Sequence, residues 1–244
     1  MGLFKLFRKK KNKTKLTKRD PGRKVRELVS KGDSLYKLGR YEEALSFFNK
    51  ALRLNPNIAD AWNKKGVILY KLARHQEALN CYEKALRLNP NYAECFYNKG
   101  NLLVEFGRHR DAVSCYEEAL RLNPKLADAW REKGIALRTL GRYQDAVFCY
   151  DEALRLNPND AETWRSKGAV LGRLGHHEQA LECYDKALEI DPKFAPAWHD
   201  KGFALYCLKR YDEALKCAEE VLKIKSDDDL ALKFRQMVLT ELKR

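Results

Sequence analysis

The chain is expected to fold as an all-helical array of stacked repeats, and three observations lead there. Proline recurs at Pro56, Pro90, Pro124, Pro158 and Pro192, 34 residues apart each time. A constant period of this size marks units that cannot bury an apolar face alone and complete one another's core. Small residues recur on the same period: Gly32, Gly66, Gly100, Gly134, Gly168 and Gly202, then Ala44, Ala78, Ala112, Ala146, Ala180 and Ala214. The apolar residues between them follow helical spacing. Trp62, Gly66 and Leu69 fall at i, i+4 and i+7, and Ala78, Tyr82, Ala85 and Leu86 form a second stripe.

Counting from Val25 gives six units, 25–58, 59–92, 93–126, 127–160, 161–194 and 195–228. Position four is Leu28, Trp62, Phe96, Trp130, Trp164 and Trp198, and position eleven is always leucine. Position twenty-four is Phe48, Tyr82, Tyr116, Tyr150 and Tyr184, then Ala218. Glycine at position eight weakens a helix by ~1 kcal/mol relative to alanine, so close packing must compensate it in every unit. Gly39, Gly107, Gly141 and Gly175 fall between the two helices, where a left-handed residue ends the first. The Asn-Pro pairs from Asn55-Pro56 to Asn157-Pro158 separate units. Asp60, Glu94, Asp128 and Glu162 follow them, where a negative charge suits a helix N-terminus.

These columns resemble the tetratricopeptide repeat (TPR): aromatic at four, glycine at eight, alanine at twenty, aromatic at twenty-four, alanine at twenty-seven and proline at thirty-two. The resemblance covers residues 25–228. It implies six antiparallel helix pairs wound into a right-handed superhelical solenoid that works as a non-enzymatic protein–protein interaction scaffold. The sixth unit lacks the proline (Ser226) and the aromatic (Ala218), and residues 229–244 read as a capping helix over its apolar face.

Charge is uneven. Residues 1–24 hold eleven of the 48 Lys/Arg and one of the 34 Asp/Glu, so this segment carries +10 of the net +14. It reads as a solvated basic tail, disordered in isolation. Two other uses stay open. Leu3, Phe4, Leu6 and Phe7 ahead of the basic run suit an anionic membrane surface, and the run itself suits nucleic acid. The nearly balanced repeats make nucleic acid the weaker of the two. Leu6 stands where a myristoylation signal wants Ser or Thr. The apolar stretch is short for a signal peptide, and no run approaches the ~20 residues of a membrane span. The expectation is a cytoplasmic protein, with peripheral membrane association as the variant.

Cys81, Cys115, Cys149, Cys183 and Cys217 share position twenty-three with Phe47, which marks a packing column. No C-x-x-C occurs and the cysteine count is odd, against a disulfide or metal framework. His75, His109 and His177 alternate with tyrosine at position seventeen. No nucleophile–base order, phosphate loop or metal motif appears, so no catalytic residue, cofactor, metal or small-molecule substrate is expected. Lysine fills position seven from Lys31 to Lys201, three residues after the position-four ring, along which its stem can lie. The acids at positions nineteen and twenty-five are alternative partners for that lysine ladder.

The family resemblance places the concave face on positions two, five, nine, twelve and thirteen. Carried over, the peptide-binding groove comprises Asn63, Tyr70, Tyr97, Asn101, Arg131, Arg138, Arg165, Arg173 and His199. These columns vary between units while the packing columns do not, as a surface reading an irregular ligand would. The asparagines and tyrosines suit an extended backbone, and the four arginines suit acidic residues of the partner. A subtype of the family clamps the C-terminal carboxylate of heat-shock chaperones. Its pattern fails here: in the window where Asn98 matches, Asn63 and Val67 stand in place of the wanted Lys and Asn, and Asp128 and Glu132 carry the wrong sign.

Overall fold

The computed structural model describes residues 21–243. The expected basic tail lies outside them for residues 1–20. Among the described residues there are thirteen α-helices and no strand. The six repeats are α1 (Pro21–Lys37) with α2 (Tyr41–Leu54), α3 (Ala59–Lys71) with α4 (His75–Leu88), α5 (Ala93–Glu105) with α6 (His109–Leu122), α7 (Ala127–Thr139) with α8 (Tyr143–Leu156), α9 (Ala161–Arg173) with α10 (His177–Ile190), and α11 (Ala195–Cys207) with α12 (Tyr211–Ile224). A last helix, α13 (Asp229–Leu242), follows. Helix α1 begins at Pro21, so Pro21–Lys24 belong to the first hairpin rather than to the tail. The chain divides into two compact bodies, Met1–Leu88 and Asn89–Arg244.

Within each of the first five repeats the glycine of the first helix receives the aromatic ring of the second. A Cβ on Gly134 would stand 2.7 Å from Tyr150 Cε1, and one on Gly66 would stand 2.5 Å from Tyr82 Cε1. Such distances are inside van der Waals contact, so the side chain is excluded and the helices close onto a ring instead. Tyr116 and Tyr150 are wholly buried there, with Ala112, Ala146 and Ala119 as the small surfaces around them.

Turns between paired helices need one left-handed residue. Gly39, Gly107, Gly141 and Gly175 supply it with φ between 69° and 81°. The same slot is filled by Ala73 (φ 57°) and Lys209 (φ 59°), where the backbone adopts a conformation that a Cβ disfavours.

The proline columns do more than end a helix. Trp62, Trp130, Trp164 and Trp198 donate their indole N–H to the carbonyls of Pro56, Pro124, Pro158 and Pro192, at 2.8–3.0 Å. The residue before Pro56, Pro90, Pro124 and Pro192 closes an Asx turn, as Asn55 Oδ1 does by accepting from Asn57 N at 3.0 Å and Asn123 from Lys125 N at 3.1 Å.

The lysine ladder finds the position-twenty-five acids. Lys133 meets Glu117 at 3.1 Å, Lys167 meets Asp151 at 2.6 Å and Lys201 meets Asp185 at 2.6 Å, each bridging one repeat to the next. Each Nζ also lies 5.2–5.7 Å over the tryptophan three residues before it. The position-nineteen acids serve their own turn instead. Arg40, Arg74, Arg142 and Arg210 clasp Glu43, Glu77, Asp145 and Glu213 at 2.6–2.7 Å.

Helix α13 is capped by Asp228, whose carboxylate accepts from Ala231 N at 2.9 Å. It buries Ala231 and Val238. Phe234 sits where a Cβ on Gly202 would come within 2.9 Å of its ring, the place an aromatic of α12 would otherwise take.

Candidate peptide-binding face

In the second body each first helix touches the first helix of the next repeat, α5 on α7, α7 on α9 and α9 on α11, while second helices stand further apart. The first helices therefore form the inner wall, and their side chains decide what it can hold.

That wall is laced by ion pairs. Arg165 bridges Glu162 at 2.6 Å and Asp200, on the next repeat, at 2.9 Å. Arg131 meets Glu132 at 3.0 Å, Asp128 at 3.6 Å and Asp160 at 3.9 Å. Burial works against the charge of both guanidiniums, and the neighbouring acids outweigh it, so both are held cationic. Burial also pushes the Glu132 carboxyl up, with Arg131 opposing. His199 Nε2 lies 3.3 Å from Asp228. In the first body Lys64 makes the equivalent link to Asp33 at 2.8 Å and to Asp60 at 3.2 Å. These links join residues 29 to 35 apart, Asp33 with Lys64 in the first body and Arg131 with Asp160, Arg165 with Asp200 and His199 with Asp228 in the second, a pairing visible in sequence only once positions about one period apart are compared.

The remaining sequence-derived residues separate into two groups. Asn63 is buried, with 1% exposure, and faces no solvent. Tyr70 stacks on His75 at 5.5 Å with Lys71 over its ring. Tyr97 is half-buried 6.2 Å from Tyr116, and burial raises its hydroxyl. Asn101 Oδ1 accepts from the Tyr116 hydroxyl at 2.8 Å. Ile135 replaces that asparagine one repeat later, which leaves the buried Tyr150 hydroxyl without a partner and, by burial, pushed up to about 12. Arg138 and Arg173 have no acid partner among the described residues, and Arg173 is exposed.

Ala169 and Gly172 then open the wall. They, Arg173, His177, Tyr184, Asp200, Phe203 and Ala204 line a cavity of about 420 Å³. Phe203 is 59% exposed beside it. Of these, the positions assigned to the inner face by sequence are Ala169, Gly172, Arg173 and Phe203. The vacancy was not legible, because it needs two small residues on α9 and a ring from α11 together.

No group of three or more His, Cys, Asp or Glu side chains is placed to hold a metal among the described residues. All seven cysteines are free thiols.

Five family models match the chain: tetratricopeptide repeat models at residues 97–161, 57–125, 161–194 and 183–216, and a TPR repeat model at 32–73. The chain belongs to the tetratricopeptide repeat family. The fold is accordingly an all-α helical repeat solenoid of the kind that serves as a scaffold for protein partners, and none of the matching models is an enzyme family. No curated protein sequence matches it. Among solved structures it is similar to YrrB, described as a TPR protein with an unusual peptide-binding site, at 28% identity and TM-score 0.70, covering 78% of this chain and 97% of that one. MamA matches at 26% identity and TM-score 0.64, covering 66% and 94%. PilF of Pseudomonas aeruginosa shares the fold at 20% identity and TM-score 0.77, covering 89% and 99%. Among the described residues no helix is long and apolar enough to cross a membrane.

Proposed function

We propose that the inner wall of repeats three to six holds an extended segment of a partner protein. One observation carries this reading: the cavity at Ala169 and Gly172 adjoins an exposed aromatic, Phe203, and a cation with no acid partner, Arg173. Such a cleft takes a large apolar side chain, and Arg173 with Arg138 takes a carboxylate flanking it. The anion contact falls to these two arginines because Arg131 and Arg165 are engaged with acids of the wall itself. Similarity to YrrB, a TPR protein with a peptide-binding site, supports the same use of the fold.

Panning a displayed peptide library on the protein tests the reading. The expected enrichment is an acidic residue close to an aromatic or leucine. Arg138→Ala with Arg173→Ala should weaken the selected peptides by ~10-fold and flatten their salt dependence. Arg131→Ala and Arg165→Ala should instead lower stability. Selected peptides that ignore Arg138, Arg173 and Phe203 would reject the assignment.

A further inference from the structure

The acid–base pairing of the second helices is broken in the first two repeats. In the later repeats the last two turns of the second helix pair internally. Arg121 meets Glu118 at 2.8 Å, Arg155 meets Glu152 at 2.8 Å, Lys186 meets Glu189 at 2.7 Å and Lys223 meets Glu220 at 2.6 Å. The same two positions in α2 and α4 are both basic: Lys50 with Arg53, and Lys84 with Arg87. All four are exposed and have no acid partner among the described residues. These segments, 49–54 and 83–88, are net positive, while the equivalent segments of the other four repeats are net negative.

A fifth cation joins them. Lys65 is the ladder lysine of repeat two, and the position that supplies its acid in later repeats is Asn49. Lys65 and Lys84 therefore share one ring, with their Nζ atoms 5.2 Å and 4.4 Å from the centroid of Trp62. Two ammonium groups on one indole repel unless an anion sits between them. The space beside them is an open cleft of about 310 Å³, reached also by Arg87 and Asn80. Its one carboxylate, Glu77, is already clasped by Arg74 at 2.7 Å.

We propose that this outer face of repeats one and two docks on an anionic lipid bilayer, with a headgroup phosphate in the Trp62 cleft. Chain direction supports lipid over nucleic acid. The antiparallel hairpin brings Pro21, where the basic N-terminal segment joins α1, to the same end as Arg53. Residues 1–20 carry a further net +8 in sequence and open with Leu3, Phe4, Leu6 and Phe7, side chains suited to a bilayer interface and to no phosphodiester backbone. Charge on the folded face and apolar residues on the segment are the two signals that stable peripheral anchoring requires. The outer helices are distinct from the inner wall proposed for the peptide, so the two bindings are separable.

The test uses the full chain and sedimentation with vesicles. Wild-type protein should bind vesicles of roughly 30% phosphatidylserine in phosphatidylcholine at about 0.1 M salt and ignore pure phosphatidylcholine. Lys50→Gln, Arg53→Gln, Lys84→Gln and Arg87→Gln together, with the N-terminal segment intact, should lower the partition coefficient by ~10-fold or more. Arg121→Gln with Arg155→Gln, which removes cations of the same column that have glutamate partners, should leave it unchanged. Circular dichroism melting establishes that both variants are folded. An unchanged partition for the fourfold variant would overturn the proposal, as would wild-type protein that ignores phosphatidylserine. Tighter capture of a duplex oligonucleotide, lost in the fourfold variant, would assign the face to nucleic acid and equally overturn it.

Discussion

Tyr116 and Tyr150 occupy the same place in successive repeats and differ in one hydrogen bond. Tyr116 donates to Asn101, while Tyr150 meets Ile135 and is unpartnered. Tyr116→Phe should therefore lower stability by about 1 kcal/mol, and Tyr150→Phe should leave it unchanged or raise it by a similar amount. Urea denaturation of both variants checks the contrast. The thiols of Cys81, Cys149, Cys183 and Cys217 are pushed up to about 11 by burial. Their folded-state values exceed the unfolded value, so the fold binds more protons at high pH. Stability from this source is complete below about pH 9 and falls as pH rises toward 11, by roughly 2 kcal/mol per thiol. Denaturation midpoints measured from pH 8 to 11 should show the decline, and Cys149→Ala should make it shallower. The column of thiols was legible as packing because Phe47 shares it. The missing tyrosine partner was not, since nothing in the sequence says that position nine faces the ring of position twenty-four.

At the scale of the hairpin, the turn between helices offers a test free of packing. Nothing lies within 4 Å of a Cβ built on Gly39, Gly107, Gly141 or Gly175, so backbone conformation alone sets the cost of a side chain there. Ala73 and Lys209 bear that cost in repeats two and six. Ala73→Gly and Lys209→Gly should each raise stability by about 1 kcal/mol, and Gly141→Ala should lower it by as much. Thermal melts of the three variants decide the matter. Periodicity gave the helix pairs, the glycine seats and the turns because each depends on residues a few positions apart. It left open which acid meets the lysine ladder, because Lys133–Glu117 and its equivalents join different repeats.

Across the whole chain, six repeats of one plan carry two surfaces that break the plan in different ways. The inner wall departs by losing bulk at Ala169 and Gly172, and the outer face of α2 and α4 departs by losing acids. The sequence offers Arg131, Arg138, Arg165 and Arg173 alike to acidic residues of a partner. Arg131 and Arg165 instead pair with acids of the wall, a difference set by Asp160 and Asp200, which lie about one period further along. Phe234 of α13 fills the seat that each earlier repeat fills from its own second helix. A ring lent from beyond the periodic part closes the series like a keystone. A seventh copy appended after Ile224 would have to evict it and would find Ala218 with nothing to offer in exchange, so a longer version of this chain is built by inserting copies upstream, with the terminal pair and its borrowed phenylalanine inherited together.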